Sequence, residues 1–132
     1  MFVDTSVLLA LLSEEDDAQE WAKRLEREAG LVTSALVVLE ATMRLSTKLG
    51  VEPVDAEAAI NALLRESKID VVAIGADDGH LAVQAFAKYG KGRGHPGQLN
   101  LADCLSYACA KNWKVPLLYK GNDFAQTDIG SF

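Results

Sequence analysis

Four short apolar runs, at 2–4, 31–34, 71–74 and 115–119, alternate with long segments of helical periodicity, and this alternation restricts what the chain can become. Strands so far apart in sequence cannot be joined by tight hairpins. Each must return through a helical crossover, which makes neighbouring strands parallel and covers the sheet with helices. The expected fold is therefore α/β: one domain spanning 1–132, with a central parallel sheet of four to five strands flanked by helices on both faces. A short edge strand at 127–129 is the candidate fifth.

Capping residues punctuate the pattern. Asp4 ends the first strand, and a helix follows to Leu12. Ser13 is expected to cap a second helix over 13–28, with acids in its first turn and Gly30 beyond its end. Gly50 closes a helix over 35–49, on which Leu36, Leu39, Glu40 and Met43 read as one inward stripe. Asp55 and Asp77 are expected caps of the next two helices, the second running to Tyr89. A glycine-rich loop, KGRGHPGQ, precedes Asn100, which caps LADCLSYACAKN.

A chain of 132 residues can bury roughly two-thirds of its unfolded surface around a single core. Its longest apolar run, 7–12, is far short of the ~18 residues of a membrane span, and no basic lead precedes an apolar segment. A cytoplasmic protein with no membrane role is expected. Cys104 and Cys109 lie five apart in a helical run and so face different sides, which suits buried reduced thiols. With only His80 and His95 beside them, no zinc spacing can be assembled.

The net charge of −6 argues against a nucleic-acid partner, but its distribution is uneven. Positions 1–87 hold sixteen acids and seven bases, whereas 88–132 hold three acids and six bases. That excess is either an ordinary solvated face or a local patch that tracks phosphates on an acidic body.

Four acids stand out against this frame. Asp4 ends the first strand, Glu40 lies in the helix after the second, Asp103 is in the first turn of the helix after Asn100, and Asp123 follows the fourth strand. In parallel sheets, sites form in the crevice at the carboxyl ends of the strands, and all four acids map to that edge. Taken singly, Asp103 serves a helix N-terminus and Asp4 or Asp123 a turn. Glu40 has only Arg44 as a candidate partner. Carboxylates that converge without cations call for a hard divalent ion, with Mg2+ or Mn2+ the natural choice.

The motif VDTS around Asp4, the helix glutamate Glu40, NLADCLSYACAK around Asp103 and PLLYKGNDFAQTDI around Asp123 resemble the PIN domain of VapC-type toxins. The likeness covers essentially the whole chain, and GRGHPGQLN resembles the loop before the third acid of that family. The resemblance implies a Mg2+- or Mn2+-dependent endoribonuclease, the toxin of a type II toxin–antitoxin pair. It also implies a homodimer neutralised by a VapB-type antitoxin. Asp4, Glu40 and Asp103 would then hold metal or orient water, and Asp123 would complete the set; Asp128 lies nearby, but the GNDF match favours Asp123. Thr5, Ser6 and Asn100 are candidates to orient these carboxylates by hydrogen bonds, with Thr5 and Ser6 equally readable as helix caps. The loop residues Lys91, Arg93 and His95, expected to be mobile, and Lys120 are candidates for RNA phosphates.

Other readings explain less. The loop GRGHPG fits a dinucleotide fingerprint only formally, since it follows a helix and contains Pro96. Trp21 and Trp113 are expected to pack rather than stack on bases. A phosphatase with a nucleophilic first-strand aspartate would resemble DxDxT, yet position 6 is Ser. A non-catalytic phospho-receiver module leaves Glu40 without a role.

Overall fold

The computed structural model describes residues 1–129. Its sheet contains β1 (Phe2–Val3), β2 (Val32–Ser34), β3 (Asp70–Val72) and β4 (Leu117–Leu118) in the order β3-β2-β1-β4, with every pair parallel. Phe2 sits opposite Val32 on one side and Leu117 on the other. Between the strands run α1 (Thr5–Leu12), α2 (Ala18–Arg27), α3 (Ala35–Leu49), α4 (Pro53–Glu66), α5 (Ala76–Tyr89) and α6 (Leu101–Trp113). A 3-10 turn, Phe124–Gln126, follows β4.

This order creates a switch point. From β1 the chain steps outward to β2 and β3, then returns through α5 and α6 to place β4 on the other side of β1. Right-handed crossovers in opposite directions put their helices on opposite faces. The packing agrees: α1 touches α2, α3 and α4, whereas α5 lies against α6. A crevice must open where the connections leaving β1 and β4 diverge.

The core lies between sheet and helices, with Phe2, Val3, Leu8, Leu31, Leu45, Ile60, Leu99, Leu117 and Leu118 all buried. Cutting a side chain such as Ile60 back to alanine there would cost ~2–5 kcal/mol. Thr33 joins the two inner strands by donating its buried hydroxyl to the Val3 carbonyl at 2.8 Å. Cys104 and Cys109 are buried and unbonded, and burial pushes both thiols up to about 11. Among the described residues, no helix is long and apolar enough to cross a membrane.

Several boundaries differ from expectation. Ser13 ends α1 instead of opening α2, because its amide and hydroxyl both turn back to the Leu9 carbonyl, at 2.9 and 2.6 Å. The acids 14–17 therefore occupy a turn. Pro53 starts α4 at its first position, where a missing amide proton costs nothing, so Asp55 lies within the first turn. In α5 it is Asp78, not Asp77, that closes the N-terminus, accepting the Gly75 amide at 2.8 Å. Gly50 does close α3, in the left-handed conformation (φ 66°). Residues 127–129 form no strand, and the sheet has four strands among the described residues.

The inward stripe of α3 is also rotated. Its buried residues are Val37, Ala41, Thr42 and Leu45, while Leu39 and Met43 are exposed and Glu40 is half-buried at the margin. A helix hydrophobic on more than one side leaves its orientation to its neighbours.

Candidate active site

The crevice at the switch point is a cleft of about 180 Å³ lined by Asp4, Glu40, Asp103 and Asp123. Ser6, Arg44, Asn100, Lys120, Gly121, Asn122 and Phe124 complete its wall. Each acid arrives on a different element. Asp4 is the residue between β1 and α1, and Asp103 is in the first turn of α6. Glu40 projects from α3, and Asp123 precedes the 3-10 turn.

Local chemistry explains the first two positions. Asp4 caps α1, its Oδ2 accepting the Ser6 amide at 3.1 Å and the Ser6 hydroxyl at 2.7 Å. Asp103 closes a reciprocal box with Asn100: the Asn100 amide donates to its Oδ2 at 3.1 Å, and its own amide donates to Asn100 Oδ1 at 2.8 Å. Both carboxylates accept their capping bonds through Oδ2. The same contact that starts a helix thus aims a carboxylate at the cleft.

Ser6 links both sides of the switch point. Its hydroxyl donates to Asp4 and accepts the Lys120 amide at 2.9 Å, fastening the loop after β4 to the start of α1. Gly121 continues that loop at φ 113°, a conformation that disfavours any side chain. Thr5, expected beside Ser6 as an orienting group, is buried with its hydroxyl unpaired among the described residues.

The carboxylates bear on one another. Burial chiefly raises Asp103, to about 7, against the opposing Asn100 amide; the charges of Asp4, Glu40 and Asp123 raise it further. Burial likewise raises Asp4, with Glu40 adding to the effect and Ser6 opposing it. Among the described residues, no three Asp, Glu, His or Cys side chains are placed closely enough to hold one metal ion as they stand. The donor set still suits a hard cation in chemistry: it is all oxygen, and among the described residues no basic side chain is hydrogen-bonded to any of the four acids.

The basic candidates fare differently. Lys120 lines the cleft, but its ammonium is bound by Glu15 and, at 2.9 Å, by Asp17. Lys91, Arg93 and His95 lie outside the cleft wall. Their loop is closed at its base, where the Lys91 amide meets the Leu99 carbonyl at 2.9 Å and the Leu99 amide meets the Tyr89 carbonyl at 3.0 Å. His95 turns inward, edge-on to Tyr89, and its Nδ1 accepts the Gly97 amide at 2.9 Å. A ring so placed holds the loop together. Trp21 packs with its indole donating to Asp17, but Trp113 is half-exposed.

Asp128 is accounted for elsewhere. It accepts the Tyr107 hydroxyl at 2.6 Å and the Lys111 ammonium at 2.8 Å, and it is not part of the cleft. Gly121, Asn122 and Phe124, which flank Asp123 in the GNDF motif, also reach the cleft wall through the turn after β4.

The PIN domain family matches residues 1–130. A protein of Rhizobium meliloti (strain 1021) described as a VapC ribonuclease is 42% identical over 141 residues, covering 98% of this chain and 99% of that protein. The chain belongs to the VapC-type PIN-domain family. Ribonuclease VapC28 of Mycobacterium tuberculosis (strain ATCC 25618 / H37Rv) is 40% identical over 129 residues, covering 98% of this chain and 95% of its own. Among solved structures, Mycobacterium tuberculosis VapC20, titled a sarcin-ricin loop cleaving toxin, superposes with a TM-score of 0.74 at 18% identity, covering 94% and 92% of the two chains. A toxin–antitoxin complex from Klebsiella pneumoniae gives 0.71 at 19% identity, with 97% and 92% covered. These neighbours share the PIN fold of this chain.

Proposed function

We propose that this PIN-domain protein is an endoribonuclease that hydrolyses RNA phosphodiesters at the Asp4, Glu40, Asp103 and Asp123 cleft, and that it is the toxin of a type II toxin–antitoxin pair. The observation that carries the reading is the convergence of four carboxylates from four elements on the switch point of a parallel sheet. The names of its relatives support the activity. Asp4, Glu40 and Asp103 would hold Mg2+ or Mn2+, with Asp123 beside them. A divalent ion supplies a polarised phosphoryl oxygen and a more acidic water.

The chain's own residues do the positioning. Ser6 and Asn100 hold one oxygen of Asp4 and Asp103 respectively, so those carboxylates enter the reaction already oriented. Lys91 and Arg93, exposed on the closed loop, would meet RNA phosphates away from the reacting centre.

A VapB-type antitoxin is the proposed protein partner, in keeping with the complex formed by the Klebsiella neighbour. A homodimer is the proposed assembly, for which the exposed Leu39 and Met43 offer apolar surface. Sedimentation of the purified chain tests the dimer. The central experiment is cleavage of labelled RNA with magnesium, manganese or chelator, alongside phosphomonoester hydrolysis. Metal-dependent RNA cleavage that Asp4→Asn abolishes is expected; phosphatase activity alone would overturn the reading.

A further inference from the structure

Beside the divalent ion proposed above, a cationic side chain that can reach the substrate would favour binding of a polyanion at an acidic cleft. Lys120 is the cleft lysine, yet its ammonium is committed to Glu15 and Asp17, and Lys48 adds a second cation to Glu15 at 3.3 Å. Releasing Lys120 would leave Asp17 without its ion-pair partner and Glu15 with Lys48 alone. Lys111 is likewise held by Asp128.

Arg44 differs on every count. It lies on α3 one turn beyond Glu40, is exposed, and lines the same cleft as the four acids. Among the described residues it has no ion pair and no hydrogen bond from its guanidinium. Its spacing from Glu40 would permit an i, i+4 pair, but none is formed. Glu40 still raises both Asp4 and Asp103. Neutralising Glu40 therefore does not explain why an arginine stands at this wall. A guanidinium presents a rigid fork of donors that matches two phosphate oxygens, and here it is free to do so.

We propose that Arg44 is the phosphate-binding side chain of the cleft, gripping the RNA backbone next to the reacting phosphodiester, and that Lys120 is a structural clamp. The inference rests on the ribonuclease reading above and adds the residue that draws substrate in. Arg44 contributes affinity and register, while the acids perform the chemistry. Lys120 fixes the loop after β4 through its amide to Ser6 and its ammonium to the α1–α2 turn.

The test measures binding of a fluorescein-labelled stem-loop RNA at several KCl concentrations, in an Asp4→Asn background that prevents cleavage. Arg44→Gln should weaken binding about fivefold to tenfold and lower the slope of log K against log salt by about 0.7–0.9, the signature of one lost phosphate contact. Arg44→Lys should keep most of the slope, and Lys120→Met should leave it unchanged. In the enzyme with Asp4 restored, Arg44→Gln should act chiefly on KM rather than kcat. An unchanged slope in Arg44→Gln overturns the proposal, as does an equal loss in Arg44→Lys. A slope lost in Lys120→Met instead would make the lysine the phosphate ligand and reverse the assignment. RNA binding that is absent or insensitive to salt overturns it as well. If RNA is bound with an Arg44-dependent slope but never cleaved, the ribonuclease reading fails and the phosphate contact stands. If cleavage depends on Asp4 while the slope ignores Arg44, only the present inference fails.

Discussion

The N-terminal end of α6 carries Asp103 and its C-terminal end holds Asp128, and these two aspartates live in opposite worlds. Asp103 looks into a cleft with three other carboxylates; burial and their charges lift it to about 7 despite the Asn100 amide. Burial also works upward on Asp128, but Lys111 and the hydroxyl of Tyr107 outweigh it and hold the acid below its ordinary value. One end of the helix has acids in want of a cation, and the other has an acid that is already paired. A paired carboxylate fastens structure, here the segment after the 3-10 turn onto α6. An unpaired set stores repulsion that a bound ion or a proton relieves.

The sharpest way to break this contrast is to remove each acid in turn and follow RNA cleavage. Asp103→Asn should lower the rate at least ~100-fold by removing a charge from the reacting centre. Asp128→Ala should retain activity in every preparation that is folded. Equal losses in the two variants would erase the distinction between a site acid and a structural one.

Metal response separates the ends next. If the ion binds only the folded protein with a dissociation constant of ~1 mM, then ~10 mM should add about 1.4 kcal/mol. That corresponds to a rise of ~5 °C in melting temperature for a domain of this size. Asp128→Ala should keep the rise, and Asp103→Asn should lose most of it. The same rise in both would place the ion elsewhere.

Without metal, the comparison predicts opposite pH behaviour. Asp103 has a folded pKa above its unfolded value near 3.8, so the folded state holds its proton more tightly. Its contribution favours folding at low pH and is lost as pH rises through about 7. Asp128 has a lowered folded pKa, so its contribution is present above the unfolded pKa and fades as pH falls through the folded one. Melts in chelator across pH 4–8, the working span between those ordinary and raised values, should therefore decline less in Asp103→Asn than in wild type. An identical decline would remove Asp103 as its source. At fixed neutral pH, Asp128→Ala should cost about 1 kcal/mol, since its partly exposed ion pair contributes little and the Tyr107 bond most of the effect. The expected fall is ~4 °C.

The smallest effect concerns the closed loop. Lys91→Gln with Arg93→Gln should weaken RNA binding only a few fold and flatten its salt dependence modestly, because solvated charges outside the cleft contribute through screened attraction. A loss larger than that of Arg44→Gln would move the principal phosphate contact to the loop.

Much of this protein can be derived from its sequence because the relevant physics is local. Alternating apolar runs and helical periods require a parallel sheet, and Asn100, Gly50 and Asp4 mark their helix ends through contacts that span only a few residues. Asp4 and Asp103 are legible for the same reason, since capping a helix after a strand or loop carries each to the sheet edge. Tertiary structure decided whatever depends on a distant partner. Lys120 joins Glu15 and Asp17 from more than a hundred residues away, which commits its ammonium to the α1–α2 turn. Asp128 is claimed by Tyr107 and Lys111, leaving Asp123 to the cleft. The rotation of α3, set by its neighbours because its apolar residues do not lie on one face, exposes Leu39 and Met43 and brings Glu40 and Arg44 to the cleft wall. Periodicity can determine that such a helix forms, but only packing can choose which side it buries.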